Sequence, residues 1–201
     1  IVCTGAMNVF NFMDGINGIT GGYSLVVLTA ILYTLNSHTM QAGESLAHWV
    51  SSLVTITLLA DVVFCFFNFR PRAKCFAGDV GSVSIAFIIL FSLGFIIVQT
   101  RDLSLLSFLV VYGVDGCLTI IHRLMLHEKI SLPHRKHLYQ IMANELHVPH
   151  VAVSSLYMVV QLICCVWYVA CPGYLTLLLQ IAVLSVVYIL FMKRFFHLHQ
   201  G

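Results

Sequence analysis

Long apolar segments alternate with short polar segments along the chain. The apolar segments cover residues 19–36, 49–67, 80–98, 103–121, 151–170 and 174–192. A hydrocarbon core about 30 Å thick needs about 20 residues of α-helix at a rise of about 1.5 Å per residue. Because backbone groups in lipid must hydrogen-bond within their own segment, the six stretches are predicted to be transmembrane helices. The apolar residues 1–13 predict part of a further helix.

The composition supports a membrane protein and argues against a soluble one. Apolar residues make up 60% of the chain and charged residues only 9%, whereas soluble domains carry about 25% charged residues. The net charge of +2 is too small to suggest nucleic acid as a partner. The predicted fold class is all-α. We expect one domain over residues 1–201, a polytopic transmembrane helical bundle with six complete spans and a partial one, embedded in a lipid bilayer.

The positions of Lys and Arg predict the orientation. If the spans alternate in direction, Arg101 is the only basic residue on one side, and the other nine share the opposite side. The nine are Arg70, Arg72, Lys74, Arg123, Lys129, Arg135, Lys136, Lys193 and Arg194. Cytoplasmic loops carry the excess of Lys and Arg. We therefore expect a multi-pass protein of the inner (cytoplasmic) membrane, with its active site at the cytoplasmic face, where three unusual polar segments also lie.

In the first polar segment, Asn8, Asn11, Asp14 and Asn17 recur every three residues. On a helix, residues three apart are neighbours, so these side chains are predicted to face one another. Asn offers a donor and an acceptor, and Asp is a ligand for hard cations. The alternative is a glycine-rich helix crossing held together by polar side chains.

The second polar segment places Asp79 between Gly78 and Gly81 at the start of a span, with Lys74 and Phe76 just before it. A carboxylate beside a cation and accessible backbone amides suits a magnesium–diphosphate site, because Mg²⁺ is usually held by one or two carboxylates and by substrate phosphates. The alternative is a tight turn with a helix-capping side chain.

The third polar segment, residues 122–150, combines six histidines with four basic residues, among them Arg135 beside His137. Arg makes bidentate contacts with phosphate, so we interpret this segment as an anion site. A zinc site and a basic loop that touches anionic lipid headgroups are the alternatives.

Two further carboxylates, Asp61 and Asp115, fall inside predicted spans. Ionisable residues at membrane depth are functional candidates because their burial is costly. We expect structural pairing for both, with Arg123 or another loop cation as the partner of Asp115. Direct participation in chemistry is the alternative.

Together, the three segments resemble the polyprenyl-phosphate N-acetylhexosamine-1-phosphate transferases of glycosyltransferase family 4, which include the undecaprenyl-phosphate N-acetylglucosamine-1-phosphate transferases. The family block N-x-x-N-x-x-D-G-x-D-G is matched by Asn8, Asn11, Asp14, Gly15 and Gly18. The block A-K-x-F-x-G-D-x-G-S is matched by Ala73, Lys74, Phe76, Gly78, Asp79, Gly81 and Ser82. Residues 133–139 resemble the basic histidine loop of the family.

The chain also departs from the family pattern. Asn17 replaces the second Asp of the first block, and Tyr139 stands where many members have a second His. The paired aspartates of the family would lie upstream of residue 1, so the resemblance covers about the C-terminal two-thirds of a typical member. We therefore expect residues 1–201 alone to be inactive.

The resemblance implies a reaction in which polyprenyl phosphate takes sugar-1-phosphate from a UDP-sugar and UMP is released. It implies Mg²⁺ as the cofactor, with Mn²⁺ as a substitute. The implied catalytic residues are Asp79, which is also the metal ligand, Asp14 and His137. The implied substrate-binding residues are Asn8, Asn11, Asn17, Lys74, Phe76, Gly78 and Arg135. The apolar spans would hold the prenyl tail, and dimers occur in the family, so a homodimer is one expected assembly.

Other functions remain as alternatives at this stage. One is a secondary transporter that uses Asp61 and Asp115 to couple ions, although the two halves of the chain show no repeat. Another is a membrane scaffold without activity. The sugar is also open, with N-acetylglucosamine as the default, and so is the pathway, cell-envelope polysaccharide or peptidoglycan lipid intermediates.

Overall fold

The computed structural model describes residues 2–37, 44–127 and 136–195. The described residues form helices and no strands. The helices are α1 (Val2–Met13), α2 (Ile19–Ser37), α3 (Glu44–Asn68), α4 (Gly78–Thr100), α5 (Val110–Met125), α6 (Leu138–Gln140), α7 (His150–Ala170) and α8 (Tyr174–Phe195). A 3₁₀-helix, Leu103–Leu109, leads into α5, and a π-helical turn, Ile141–Glu145, continues α6.

Six helical segments are long and apolar enough to cross a membrane, which confirms the six predicted spans. They are Ile19–Ser37, Leu46–Asn68, Gly78–Thr100, Leu103–Met125, His150–Ala170 and Tyr174–Phe195. The fourth span differs from a continuous α-helix in its first two turns, which form the 3₁₀-helix. That helix begins at Asp102, whose carboxylate Oδ1 accepts from the Ser104 amide at 2.8 Å and caps the free N–H groups.

Helix α2 is the centre of the bundle. In its membrane-spanning window 67% of the residues are buried, against 17% in α3 and 22% in α8. Two adjacent glycines, Gly21 and Gly22, let neighbouring side chains come close, because a Cβ on Gly21 would lie 2.5 Å from the Cys65 sulfur. The outer helices α3 and α8 expose rows of Ile, Leu, Val and Phe, as expected of surfaces that face lipid.

The core below the polar segments is aromatic and contains a few fully satisfied polar groups. Tyr23 of α2 and Tyr112 of α5 stack with ring centroids 3.6 Å apart, and Phe10 of α1 meets both rings edge-on. Gln161 of α7 accepts from the Tyr23 hydroxyl at 3.0 Å and donates to the Ser107 carbonyl at 3.1 Å. Buried polar groups that find partners fix one arrangement of the helices.

Successive spans alternate in direction, so the polar segments meet at one end of the bundle, which we call the site end. It comprises the end of α1, the starts of α2, α4 and α7, and the ends of α3, α5 and α8. Seven described basic residues lie there: Arg70, Arg72, Lys74, Arg123, Lys136, Lys193 and Arg194. Arg101 follows α4 at the opposite end. Lys129 and Arg135 lie outside the described residues.

Candidate active site

The first polar segment is a helix end followed by a turn, and not one continuous helix. Helix α1 stops at Met13, so Asn8 and Asn11 lie on the helix whereas Asp14 and Asn17 lie in the turn before α2. The prediction that all four face one another along a helix is therefore wrong. The turn requires Gly18, whose φ of +85° is a left-handed conformation that favours glycine.

Helix α1 meets the start of α4 through a direct hydrogen bond. The Ser82 hydroxyl of α4 donates to the Asn11 side-chain carbonyl at 2.7 Å. The contact joins two sequence blocks separated by 71 positions. It brings the turn that carries Asp14 beside the first turn of α4, which carries Asp79. Asn8 is exposed on α1, about one turn before Asn11.

Asp14 and Asp79 are close enough to interact electrostatically. Burial raises the pKa of the Asp14 carboxyl, and the negative charge of Asp79 raises it further. The Thr20 hydroxyl and the Gly78 amide oppose this shift in the pKa because they favour the ionised form. Two carboxylates at one place are a feature that a bound cation stabilises.

The start of α4 is open toward the surface. Gly78 has a φ of +59°, and Asp79 is exposed in the first helical turn. The first turn receives no side-chain cap from Ala77. Uncapped amides at a helix N-terminus attract anions such as phosphate. Lys74 is exposed just before this turn, and the Phe76 ring is 73% exposed, so a planar ligand has access to it.

Asn17 holds the loop between α3 and α4 in place. Its amide nitrogen donates to the carbonyls of Arg70 and Pro71 at 3.1 and 3.2 Å. Asn68, which the sequence analysis missed, accepts from the Gly18 amide at 2.7 Å and donates to the Cys75 carbonyl at 2.8 Å. An isolated Asn at the end of an apolar span was the only sequence signal for this role.

His137 lies beneath the surface of the site end, on the carboxylate of Asp115. Its Nδ1 is 3.4 Å from Asp115 Oδ1, and its side chain is 2% exposed. Asp115 also accepts from the Leu138 amide at 3.2 Å, the Thr119 hydroxyl at 3.1 Å and the Tyr157 hydroxyl at 2.6 Å. The predicted structural pairing of Asp115 is thus present, with His137 as the partner.

Tyr139 connects the third polar segment to the end of α1. Its hydroxyl donates to the Phe12 carbonyl at 2.7 Å, and a Cβ on Gly15 would clash with that hydroxyl. Glycine at position 15 is therefore required for the approach. Tyr139 stands where many members of the resembling family have a second histidine. In the structure it makes a hydrogen bond to α1 that the sequence pattern did not reveal. Arg135 lies outside the described residues.

Asp61 does not have the structural partner that we expected. Its side chain is 3% exposed in α3, and neither carboxylate oxygen has a hydrogen-bond partner among the described residues. The prediction of pairing is wrong here because no basic side chain of the described chain reaches this depth of α3, whereas Asp115 lies directly below a loop.

The donors at the site end suit a magnesium ion shared with a diphosphate. No group of three or more His, Cys, Asp or Glu side chains among residues 2–37, 44–127 and 136–195 could hold a metal alone. Mg²⁺, however, is usually bound by one or two carboxylates, and phosphates and water complete its coordination. Asp14 and Asp79 offer that donor set, and their repulsion favours a cation between them.

Comparison with known proteins identifies similar sequences. The model of glycosyl transferase family 4 matches residues 1–99, which contain α1 to α4. A probable undecaprenyl-phosphate N-acetylglucosaminyl 1-phosphate transferase of Bacillus subtilis is 29% identical over 139 residues, which is 67% of this chain and 37% of that protein.

Two shorter matches point the same way. The undecaprenyl-phosphate alpha-N-acetylglucosaminyl 1-phosphate transferase of Escherichia coli K12 is 34% identical over 88 residues, 44% of this chain and 23% of that protein. The phospho-N-acetylmuramoyl-pentapeptide-transferase of Petrotoga mobilis is 33% identical over 85 residues, 42% of this chain and 23% of that protein. The matched segments thus span well under half of each relative. Residues 1–99 thus match glycosyl transferase family 4, and the described residues form the six apolar helices of a membrane-spanning bundle.

Proposed function

We propose that this protein transfers a sugar-1-phosphate, N-acetylhexosamine-1-phosphate in the default case, from a UDP-sugar to polyprenyl (undecaprenyl) phosphate. An oxygen of the lipid phosphate attacks the β-phosphorus of the UDP-sugar. The bond between that phosphorus and the bridging oxygen breaks, and UMP leaves with the bridging oxygen and its electron pair. The products are polyprenyl-diphosphate-sugar and UMP. Such a transfer needs positioning and charge stabilisation more than covalent help from the protein.

The observation that carries this proposal is the meeting of Asp14 and Asp79 at the uncapped start of α4. The carboxylates supply oxygen ligands for a cation, and the helix amides supply donors for phosphate oxygens. Both features come from segments that match the family blocks, and the Ser82–Asn11 hydrogen bond holds them together. Ion-coupled transport is not favoured, because the similar proteins are named as transferases.

We assign Mg²⁺, replaceable by Mn²⁺, to Asp79 with Asp14 beside it. When bound, the ion neutralises the negative charge of the diphosphate. Lys74 and Arg135 add positive charge near the phosphates, and Phe76 stacks on the uracil ring. The remaining proposed substrate-binding residues are Asn8, Asn11, Asn17 and Gly78. For Asn17, binding would have to use the atoms that its two loop hydrogen bonds leave free.

We propose that His137 contributes to catalysis together with the basic residues of the third polar segment. Its contact with Asp115 orients the imidazole. A contact of His137 with sugar or phosphate would require its imidazole, 2% exposed in the structure, to become accessible when substrate binds. A His137→Gln variant would then lower kcat more than it raises KM, because the interaction strengthens as charge develops.

The orientation of the bundle is part of the proposal. We place the site end in the cytoplasm at the inner membrane, because seven described basic residues lie there against one at the other end. Single-cysteine variants test this directly. In intact cells a membrane-impermeant maleimide is expected to label Cys171, which is exposed at the opposite end. Cys75, in the loop before α4, is expected to react only after the membrane is opened. The reverse pattern would refute the orientation.

The test of activity is UMP release from a UDP-sugar in the presence of polyprenyl phosphate and Mg²⁺, with the longest natural form of the protein that carries this chain. Asp79→Ala is expected to lower the rate by about 10²–10³-fold, a loss typical of removing one electrostatic contact to the transition state. Glu145→Gln, a change at an exposed carboxylate, is the matched control and should retain activity. Full activity of Asp79→Ala would refute the site.

A donor panel addresses the sugar. UDP-N-acetylglucosamine is the default substrate, and UDP-N-acetylgalactosamine and a UDP-linked deoxy-N-acetyl sugar are the competitors. The lipid product, analysed by mass, identifies which sugar-phosphate was transferred. This assignment in turn decides between an envelope polysaccharide and a peptidoglycan intermediate. A homodimer, tested by cross-linking in membranes, is also proposed.

A further inference from the structure

One buried carboxylate has no part in the proposed reaction. Asp61 lies in α3, about two turns before the helix ends at Asn68, and only 3% of it is exposed. Neither Oδ1 nor Oδ2 has a hydrogen-bond partner among the described residues. An isolated charged carboxylate inside a membrane span is costly, so this position calls for a ligand that supplies positive charge.

Asp61 lines a cavity of about 220 Å³ between α2, α3 and α4. Three hydroxyl-bearing residues line the same cavity: Thr20 of α2, Thr57 of α3 and Ser84 of α4. Thr57 donates its proton to the Leu53 carbonyl at 2.8 Å, which leaves oxygen lone pairs for another partner. One carboxylate residue and three hydroxyl residues from three separate helices therefore line the cavity, together with apolar side chains such as Phe64 and Ile85.

This set of donors suits a small hard cation. Carboxylate and hydroxyl oxygens are hard ligands, and none of the described residues that line the cavity is Lys, Arg or His. The single negative charge of Asp61 favours a monovalent cation. A monovalent cation on one carboxylate gives a neutral site, whereas a divalent cation would leave a net positive charge in a low-dielectric environment.

We propose that the cavity formed by Asp61, Thr20, Thr57 and Ser84 is a binding site for a monovalent cation of the sodium class. The site lies next to the active site and is distinct from it. Thr20 lines the cavity and also lies near Asp14, and Gly81, which lines the cavity too, lies in the first turn of α4 beside Asp79. The bound cation joins α2, α3 and α4 below the diphosphate site.

Thermal unfolding tests this proposal without using the transferase reaction. The midpoint Tm of the purified full chain is measured in detergent at constant pH and ionic strength, with sodium chloride replacing choline chloride. A cation that binds only the folded state is expected to raise Tm by about 3 °C or more for each tenfold increase in sodium above the dissociation constant. Direct binding of radioactive ²²Na⁺ should reach one ion per chain.

The variants separate the site from general salt effects. Asp61→Asn keeps the shape of the side chain but removes its charge, and it is expected to abolish both the sodium-dependent Tm shift and ²²Na⁺ binding. Ser84→Ala keeps the carboxylate and removes one neutral ligand, so it should weaken binding severalfold. Glu145→Gln removes an exposed carboxylate and should behave as the parent protein does.

Two results would overturn the proposal. The first is a Tm that ignores sodium in the parent protein, which would mean that a proton or a basic side chain from elsewhere neutralises Asp61. The second is a sodium response that Asp61→Asn retains. Because neither measurement involves UDP-sugar or UMP, failure here leaves the proposed transferase activity untouched, and failure of that activity leaves this site standing.

Discussion

Asp115 and Asp61 are both buried within membrane spans, but their surroundings differ. Asp115 of α5, 4% exposed, accepts hydrogen bonds from Thr119, Leu138 and Tyr157 and lies against His137. Asp61 of α3, 3% exposed, has no hydrogen-bond partner among the described residues. Equal burial therefore does not indicate equal function.

The difference lies in what surrounds each helix. α5 packs against α7 and α8 below the histidine segment, so polar groups approach Asp115 from a helix, from a loop and from its own next turn. α3 lies at the edge of the bundle, and the described residues that line the cavity beside Asp61 are hydroxyl and apolar residues, with no basic one among them. A carboxylate that is saturated with donors anchors structure, whereas one that lacks them is available for a ligand.

The largest expected effect is on stability when the Asp115 carboxylate is removed. Asp115→Ala leaves the buried donors of Tyr157 and Leu138 without this acceptor and should lower the free energy of unfolding by about 3–5 kcal/mol. Asp61→Ala, measured in sodium-free buffer, should cost less than about 1 kcal/mol because no hydrogen bond is lost. Denaturant titration in detergent measures both. Equal losses would remove the distinction between the two regions.

Removal of the Tyr157 hydroxyl should have a smaller but measurable effect on the free energy of unfolding. Tyr157→Phe removes the 2.6 Å hydrogen bond to Asp115 and should lower the free energy of unfolding by about 1.5–3 kcal/mol, the range for a bond to a charged group. Tyr33→Phe, at an exposed position, serves as the control and should change stability by no more than about 0.5 kcal/mol. If Tyr157→Phe and Tyr33→Phe lower the free energy of unfolding equally, the hydrogen bonds to Asp115 do not anchor the helices.

We expect the hydrogen bond between α4 and α1 to contribute less to stability than the bonds to Asp115. Ser82→Ala removes the hydrogen bond to Asn11 and should cost about 1 kcal/mol in the free energy of unfolding. It should also reduce UMP release, because the turn that carries Asp14 is no longer held at α4. Ser52→Ala, which removes an exposed hydroxyl bonded within its own helix, is the control. Unchanged release in Ser82→Ala would show that other contacts hold the two blocks together.

The smallest effect concerns the pH dependence of stability. Burial first, and the charge of Asp79 second, raise the pKa of Asp14 above its usual 3.8. Folded protein then binds this proton more tightly than unfolded protein does, so Asp14 lowers stability as pH rises from about 3.8 through its raised pKa. Asp79→Asn lowers the pKa of Asp14 and should make that fall in Tm smaller.

The measurement is Tm in steps between about pH 4 and 7. Glu145→Gln, far from Asp14 in sequence and exposed, should leave the slope as it is in the parent protein. A slope that survives unchanged in Asp79→Asn would mean that the two carboxylates do not interact.

The secondary structure was largely predictable, since length and hydropathy alone fix a span in lipid. The six spans were found within a few residues of their ends. The errors fall where no lipid constraint acts. Residues three apart predict a helical face after Met13, whereas the chain turns there with Gly18 in a left-handed conformation. The 3₁₀-helix before α5 was missed, since its composition does not differ from that of an α-helix.

The candidate site was only partly predictable. Motif spacing identified Asp14 and Asp79, and alternation of the spans placed them at one end. The roles of Asn68, Tyr139 and Ser82 were not visible, because each bonds to a group at least seven positions away, and some to groups more than 70 positions away. Such contacts depend on how helices pack and not on any local pattern.

The amino-acid sequence by itself indicated six helices long and apolar enough to cross a membrane, the end of the bundle that holds most of the basic residues, and the blocks that resemble a known family. The helices and the placement of the basic residues follow from the cost of placing backbone and charge in lipid, a cost that each segment meets locally. Only the tertiary structure decided that Asp115 is an anchor and that Asp61 faces a cavity. Their surroundings come from helices far apart along the chain, and the free energy of a buried charge depends on those surroundings.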